Sequence, residues 1–255
     1  MLKVDKTLVV GWEPAIRGMR NPLESWDRSD SGDRCSCKQE LEDGDNHFPY
    51  CLEGYRHKKD EVIVGPNDLE LMMKLCKAGS DHRKFMRMLI VYADITAPLY
   101  WWKEYDTYKV GTVANSCSTM HTIHKKEFTM DDFSHDKLFR PEDVTILPIG
   151  SEGFPCCIQF GEDYLVAEEV LNIVIRYLNG CREQFIKTGN KRYWEQMIQL
   201  LPSSYNQMRT VELSYETLRN IYHARKHHKL HEWHVLCEWI ESLPHSELIT
   251  TDFKN

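Results

Sequence analysis

The stretch APLYWWKEYDTYKVGTVANSCSTMH, residues 97–121, changes character halfway along its length. Its first half carries Trp101, Tyr105 and Tyr108 at i, i+4 and i+7, the spacing of one helix face, and a proline near its start is accepted in a first helical turn. We expect this helix to end near Gly111. Small hydroxyl, amide and thiol residues follow, and their short donors and acceptors favour a ligand-binding loop. A surface turn over a core helix is the alternative interpretation.

The same stretch resembles the signature region of the flavin-dependent thymidylate synthases, which reads roughly AP(I/F)xxRQ(W/F)xRHRxxSxNExSxRY. With one additional residue after the Ala-Pro pair and no gap from there on, Lys103 stands at the family's first Arg and Glu104 at its Gln. The resemblance implies that Glu104 contacts the substrate. It also implies flavin contacts for the residues at the RHR triplet, which are Thr107, Tyr108 and Lys109.

Two registers are open for the rest of the signature. The register without a further gap places Asn115, Cys117 and Thr119 at the family's Glu, second Ser and last Arg, and a shift of one residue places Asn115 and Ser118 at its Asn and Ser instead. The resemblance implies substrate contacts for Asn115, Cys117, Ser118 and Thr119. A thiolate at Cys117 can act as a nucleophile on a pyrimidine ring. The family's mechanism needs no enzyme nucleophile, so a small buried thiol is the favoured interpretation.

A second block, LPSSYNQMRTVELSYETLRNIYHARKHHKLHEW at residues 201–233, follows the same family's downstream pattern without a gap. Asn220 falls on the second Asn that faces the flavin, and Arg225 falls on the nucleotide-binding Arg. Ser214 and Glu216 replace the first flavin-side Asn and its Arg. Because the two blocks occur in the family's order, they support the same fold.

The resemblance implies an enzyme that methylates dUMP at C5 to dTMP with FAD, NADPH and methylene-tetrahydrofolate, as a homotetramer with active sites shared between subunits. Arg225 is the expected catalytic and substrate-binding residue, because its planar fork can meet a phosphate or a pyrimidine carbonyl at two points. Lys229 stands where the family often has His and is expected to contact the flavin. Several family arginines are absent, and Lys103, Arg209 or Lys229 are candidates to replace them. The alternative is a flavin- or nucleotide-binding relative that lacks synthase activity or modifies another pyrimidine nucleotide.

The 255 residues, of which 42% are hydrophobic, suit one globular domain. Strand and helix patterns both occur, so we predict a single α+β domain over residues 1–255, with a polar loop insertion at about 25–60. The resemblance adds a central, mostly antiparallel sheet with long helices. Strands are predicted in DKTLVVG and at 85–95, and helices in EPAIRGMRN and at 66–79, 168–186 and about 209–243.

Charge and composition exclude several classes of protein. A formal net charge of −7 argues against a general nucleic-acid binder, which usually carries a basic face. The sequence contains neither a secretory leader pattern nor an apolar run of about 18 residues, so we expect a cytoplasmic protein without a membrane span. Nine cysteines, two of them adjacent at Cys156 and Cys157, favour reduced thiols over a disulfide framework.

Two sets of side chains have the chemistry of zinc ligands. One set has helical spacing: His223, His227, His231 and His234. The other lies in the polar insertion: Cys35, Cys37, His47 and Cys51. The first set lacks an HExxH motif, and the CxC opening of the second is less specific than paired CxxC motifs. We therefore interpret the histidines as a solvated or interface face of a helix and the cysteines as loop thiols. We predict no metal site.

Overall fold

The computed structural model describes residues 2–32, 62–143, 157–160 and 163–253. A four-stranded sheet in the order β1-β2-β6-β3 forms its centre, and all three pairings between neighbouring strands are antiparallel. Its strands are β1 (Lys3–Val10), β2 (Ile90–Pro98), β3 (Thr112–Ser116) and β6 (Asn206–Ser214). A separate antiparallel pair consists of β4 (Cys157–Phe160) and β5 (Asp163–Val166). The α+β class and the antiparallel sheet are confirmed; the single-domain extent stays a prediction.

Helices pack around this sheet. They are α1 (Trp12–Arg20), α2 (Pro66–Lys77), α3 (Leu99–Tyr105), α4 (Thr119–Thr122), α5 (Ala167–Thr188), α6 (Lys191–Leu200), α7 (Tyr215–Arg225), α8 (His231–Glu241) and α9 (Glu247–Thr250). The predictions of α1, α2 and α5 are confirmed. In α2 the apolar spacing puts Met72 and Cys76 in the core, and a proline begins the first turn.

The strand predicted at 85–95 begins later than expected. Lys84–Arg87 is a 3-10 turn that buries Phe85 and Met86, and β2 runs from Ile90 to Pro98. The segment is mainly apolar because the turn buries Phe85 and Met86 and the strand buries Val91, Ala93 and Ile95. An apolar run alone therefore does not show where the turn ends and the strand begins.

The prediction of one long helix from about Arg209 to Leu243 is wrong. The chain up to Ser214 is β6, which lies between β2 and β3 and buries Val211 and Leu213. The Ser214 hydroxyl then accepts a hydrogen bond from the Thr217 amide at 3.2 Å and caps α7. A break follows Arg225 before α8. Pairing on both sides of β6 overrides a local pattern that also suits a helix.

The predicted binding loop is also partly wrong. The helix does stop before Gly111, where φ is +83° and an ideal Cβ would lie 2.7 Å from the Thr217 hydroxyl oxygen. The residues that follow form β3, the edge strand, with Asn115 opposite Thr210 on β6. Small hydroxyl and amide residues are compatible with a strand here because β3 is largely exposed.

The helices and the sheet enclose two cores. The larger contains the inward face of β2 and three fully buried tryptophans, Trp101, Trp102 and Trp233. The smaller lies between α5 and α6 and includes Phe133 and Met197. Because Trp101 and Trp102 fix α3 against the larger core, the residues at the end of α3 are held in place.

Candidate active site

The Arg225 side chain joins the end of α7 to the end of α3. Its Nη1 donates to Glu104 Oε2 at 3.1 Å, and its Nε donates to the Tyr108 hydroxyl at 2.8 Å. The guanidinium carbon lies 4.7 Å from the centre of the Trp233 ring, within range of a cation–π interaction. The resemblance implied that Glu104 and Arg225 both contact the substrate. In the structure their side chains contact each other directly.

A second donor and a histidine ring lie at the same carboxylate oxygen. Trp233 Nε1 donates to Glu104 Oε2 at 2.9 Å, and His228 Nε2 lies 3.4 Å from it. His228 Nδ1 accepts from the Leu230 amide at 3.2 Å, so the ring proton belongs on Nε2, facing Glu104. We call these five residues the Arg225 cluster: Glu104, Tyr108, Arg225, His228 and Trp233.

The cluster is half open to solvent. Trp233 is fully buried, whereas the side chains of Glu104 and Arg225 are 34% and 19% exposed. A buried indole therefore forms the floor, and charged and polar groups form the accessible edge. The indole is already covered by Arg225, so the polar edge is the part that can hydrogen-bond a small ligand.

A second group of predicted substrate residues lies along β3 and α4. Gln207 Nε2 donates to the Cys117 carbonyl at 2.9 Å and to the Thr119 hydroxyl at 3.2 Å. The Ser118 hydroxyl accepts from the His121 amide at 3.3 Å and so caps α4. The Cys117 side chain is exposed, so the expected buried thiol is wrong. β3 is the outer strand of the described sheet, and Cys117 follows its last residue.

Arg209 is a cation linked to this second group through Gln207. Its Nε donates to Gln207 Oε1 at 3.1 Å and its Nη1 to Asp106 Oδ1 at 2.8 Å. The guanidinium also stacks on Trp102, with its carbon 4.2 Å from the ring centre. Because Asp106 lies two residues after Glu104, Arg209 connects β6 to the same end of α3 that carries the Arg225 cluster.

The expected flavin-side residues separate into two kinds. Thr107 donates to the Glu104 carbonyl at 2.7 Å, and Tyr108 belongs to the Arg225 cluster. The other three, Lys109, Asn220 and Lys229, are exposed, as Thr107 is. Their ammonium and amide groups are donors of the kind that pyrophosphate oxygens and ring carbonyls accept from.

The two residues that replace the family's first flavin-side Asn and its Arg have structural roles here. Ser214 caps α7, as described above. Glu216 is buried in the first turn of α7 and accepts from Arg83 at two points, Nε to Oε2 at 2.8 Å and Nη2 to Oε1 at 3.0 Å. A carboxylate in this position anchors α7 to the turn before β2 instead of facing a ligand.

The histidines do not form one stripe, because α7 and α8 are separate helices. His223 contacts the Ile249 carbonyl at 2.9 Å and Asp252 at 3.0 Å, and burial holds the pKa of His223 below its ordinary value. His234 Nε2 lies 2.7 Å from the His228 carbonyl. Within the described ranges no group of three metal-ligating side chains occurs. Cys35, Cys37, His47 and Cys51 lie outside them.

Sequence reasoning missed Gln207, His228 and Trp233. Gln207 and Arg209 alternate on β6, and this period would have placed them on one face if the strand had been recognised. Trp233 and His228 lie across the break between α7 and α8, so no helical spacing relates them to Arg225. Among the described residues, no helix is long and apolar enough to span a membrane.

The sheet and the helices around it have the fold of flavin-dependent thymidylate synthases, as the resemblance predicted. A crystal structure of thymidylate synthase X (ThyX) from Helicobacter pylori with FAD and dUMP matches with a TM-score of 0.57 and 13% identity, over 98% of this chain and 97% of that chain. The UMP/dUMP methylase PolB from Streptomyces cacaoi, bound with 5-Br UMP, matches with a TM-score of 0.55 and 13% identity, over 98% and 94%. No protein-family model matches the sequence, and no curated protein matches it either.

Proposed function

We propose that this protein catalyses the flavin-dependent reductive methylation of a pyrimidine nucleotide at C5, with dUMP to dTMP as the reference reaction. The observation that carries the proposal is the Arg225 cluster, in which a conformationally restrained guanidinium lies over a buried indole at an accessible edge. The similarity in fold to ThyX and PolB, over nearly the whole length of each chain, supports the same conclusion.

Arg225 is the residue that we assign to nucleotide recognition and polarisation. Its Nε and one Nη1 hydrogen are used by Tyr108 and Glu104, which fix the plane of the guanidinium. The remaining N–H groups can then bind the base carbonyl or a phosphate. Because the Arg225 side chain is already fixed, binding costs little further side-chain entropy. A fixed cation at a base carbonyl stabilises the electron-rich, enolate-like form of the pyrimidine ring, whose C5 is the nucleophile.

We propose FAD as the resident cofactor, contacted by Thr107, Tyr108, Lys109, Asn220 and Lys229. When bound, reduced FAD supplies the hydride that completes the methyl group, methylene-tetrahydrofolate supplies its carbon, and NADPH regenerates the reduced flavin. The exposed ammonium groups of Lys109 and Lys229 would bind phosphate oxygens. The exposed amide of Asn220 would donate to a ring carbonyl.

The substrate-side segment at β3 and α4 is part of the same proposal. Gln207 orients the Cys117 carbonyl and the Thr119 hydroxyl, and Asn115 and Ser118 add further polar groups nearby. We propose that Arg209 provides the positive charge that the absent family arginines would supply. Its side chain is only 16% exposed, and contacts with Gln207, Asp106 and Trp102 already orient its guanidinium.

A second candidate function is the modification of a pyrimidine nucleotide other than dUMP. The observation that favours it is the carboxylate of Glu104 at the position of the family's Gln, in direct contact with Arg225. We further propose that the protein is a cytoplasmic homotetramer with active sites shared between subunits. The half-open Arg225 cluster is consistent with completion of the site by a second subunit.

The proposal is tested by a visible spectrum and a nucleotide titration of the same sample. Protein incubated with excess FAD and desalted should keep the flavin absorbance bands, and addition of a pyrimidine nucleotide should perturb them. An assay of nucleotide-dependent oxidation of the reduced flavin follows. Protein that retains no flavin, or whose reduced flavin is indifferent to every pyrimidine nucleotide, would overturn the proposal.

A further inference from the structure

The two oxygens of the Glu104 carboxylate have different surroundings. Arg225, Trp233 and His228 all converge on Oε2, at 3.1, 2.9 and 3.4 Å. Within the described part of the chain, Oε1 accepts no hydrogen bond, and the side chain is 34% exposed. Two hydrogen bonds to one oxygen, from Arg225 and Trp233, hold the carboxylate in one orientation, with the His228 ring beside it. The other oxygen is thereby a fixed, accessible acceptor.

The adjacent Arg225 offers only donors. Its Nε is used by Tyr108 and one Nη1 hydrogen by Glu104. An arginine carries five N–H groups, so further donors remain on Nη1 and Nη2. Because Nη1 is hydrogen-bonded to the carboxylate, the free acceptor and the remaining donors belong to one pair, with the acceptor on the Glu104 side and the donors on the Arg225 side. Guanine presents this same order, acceptor then two donors, along the edge that pairs with cytosine.

The order of donors and acceptors distinguishes the two common pyrimidines. Cytosine presents its 4-amino donor, then the N3 and O2 acceptors. Uracil presents the O4 acceptor, the N3–H donor and the O2 acceptor. An ionised carboxylate can only accept hydrogen bonds, so it matches the cytosine amino group and repels uracil O4. A guanidinium fork likewise matches two neighbouring acceptors and meets an unfavourable N–H at uracil N3.

We propose that the Glu104–Arg225 pair makes this site selective for a cytosine nucleotide over a uracil nucleotide. The inference rests on the proposed function, because that proposal places a pyrimidine nucleotide at Arg225. Glu104 is the residue that determines the base. A glutamine in its place can turn its N–H₂ group toward the ligand and donate to uracil O4, which a carboxylate cannot do.

The test is a calorimetric titration of FAD-loaded protein with dCMP and, separately, with dUMP. The native protein should bind dCMP at least about tenfold more tightly, as expected for a well-formed two-point base contact. Glu104→Gln should shift the ratio of the two affinities toward dUMP by at least about tenfold. The comparison of two ligands on the native protein needs no variant, so a folding defect in Glu104→Gln leaves it intact.

Asp106→Asn is the matched control. Asp106 lies two residues from Glu104 and contacts Arg209 instead of Arg225, so the substitution removes the same charge at a neighbouring position. It should leave the dCMP to dUMP ratio unchanged; an equal shift would show a general charge effect and overturn the assignment. If Glu104 only positioned Arg225, its substitution would weaken both nucleotides equally, which also overturns base selection by Glu104. Equal or tighter binding of dUMP by the native protein refutes the inference but leaves the proposed function standing. If the native protein binds neither nucleotide, both the inference and the proposed function are refuted.

Discussion

Arg20 and Asp68 form a buried ion pair that joins α1 to α2, with Arg20 Nε 2.6 Å from Asp68 Oδ1. Their side chains are 5% and 0% exposed. The second carboxylate oxygen accepts from the hydroxyls of Ser29 and Ser31 at 2.7 and 2.6 Å. One carboxylate therefore ties the segment after α1 to the start of α2.

We predict that Asp68→Ala lowers the free energy of unfolding by about 3–5 kcal/mol, because it leaves a buried guanidinium without its partner. Denaturant unfolding followed by circular dichroism would measure the loss. Glu70→Ala on the same helix removes a carboxylate from a solvent-exposed pair with Lys74 and is the control, with little change expected. A loss for Asp68→Ala no greater than for the control would contradict this role.

The same carboxylate predicts a loss of stability in acid. Burial opposes ionisation of Asp68, but hydrogen bonds from Ser31, Ser29 and Arg20 outweigh it and hold its pKa below 3.8. A folded-state pKa below the unfolded value means that the stabilisation is present above pH 3.8 and is lost as the pH falls through the folded pKa. Unfolding free energies measured from pH 6 downward, at steps of about one pH unit, should fall less steeply in acid for Asp68→Asn than for the native protein. Parallel curves would exclude this contribution.

Gly111 lets the chain pass from the α3 region into β3, and we predict that Gly111→Ala is more destabilising than Gly79→Ala. Both residues have positive φ, +83° and +105°, so both substitutions cost about 1–2 kcal/mol of backbone strain. Only at Gly111 would the new Cβ meet another atom, the Thr217 hydroxyl oxygen at 2.7 Å. Thermal unfolding midpoints of the two variants test the difference. Equal midpoints would mean that Thr217 moves aside without cost.

Arg225→Lys should weaken pyrimidine-nucleotide binding by roughly 1.5–3 kcal/mol while leaving flavin content nearly unchanged. Lysine keeps the charge but loses the planar fork that contacts Tyr108, Glu104 and the ligand at once. Calorimetric titration measures the affinity, and the ratio of flavin to protein absorbance measures cofactor content. Arg87→Lys, at an exposed turn, is the control. Equal nucleotide affinities in both variants would remove Arg225 from the site.

The local spacing of apolar residues was sufficient to predict helices that bury one apolar face in the core, as α2 and α5 do. It failed at β6 and β3, because a strand is stabilised by partners that are distant along the chain, such as Asn115 opposite Thr210. The resemblance identified the fold and brought Glu104 and Arg225 to the same site. It did not predict that Trp233 and His228 converge on Glu104, since those contacts depend on how α8 packs after the break that follows α7.

Product analysis after a single turnover tests the central claim most directly. FAD-loaded protein is reduced without oxygen and mixed with methylene-tetrahydrofolate and either dUMP or dCMP, and the nucleotide is examined by mass spectrometry. We predict that one nucleotide gains a CH₂ unit, its C5–H being replaced by C5–CH₃, while an equivalent amount of flavin is oxidised. Flavin that stays reduced with both nucleotides unchanged, or protein that takes up no FAD, would contradict the account.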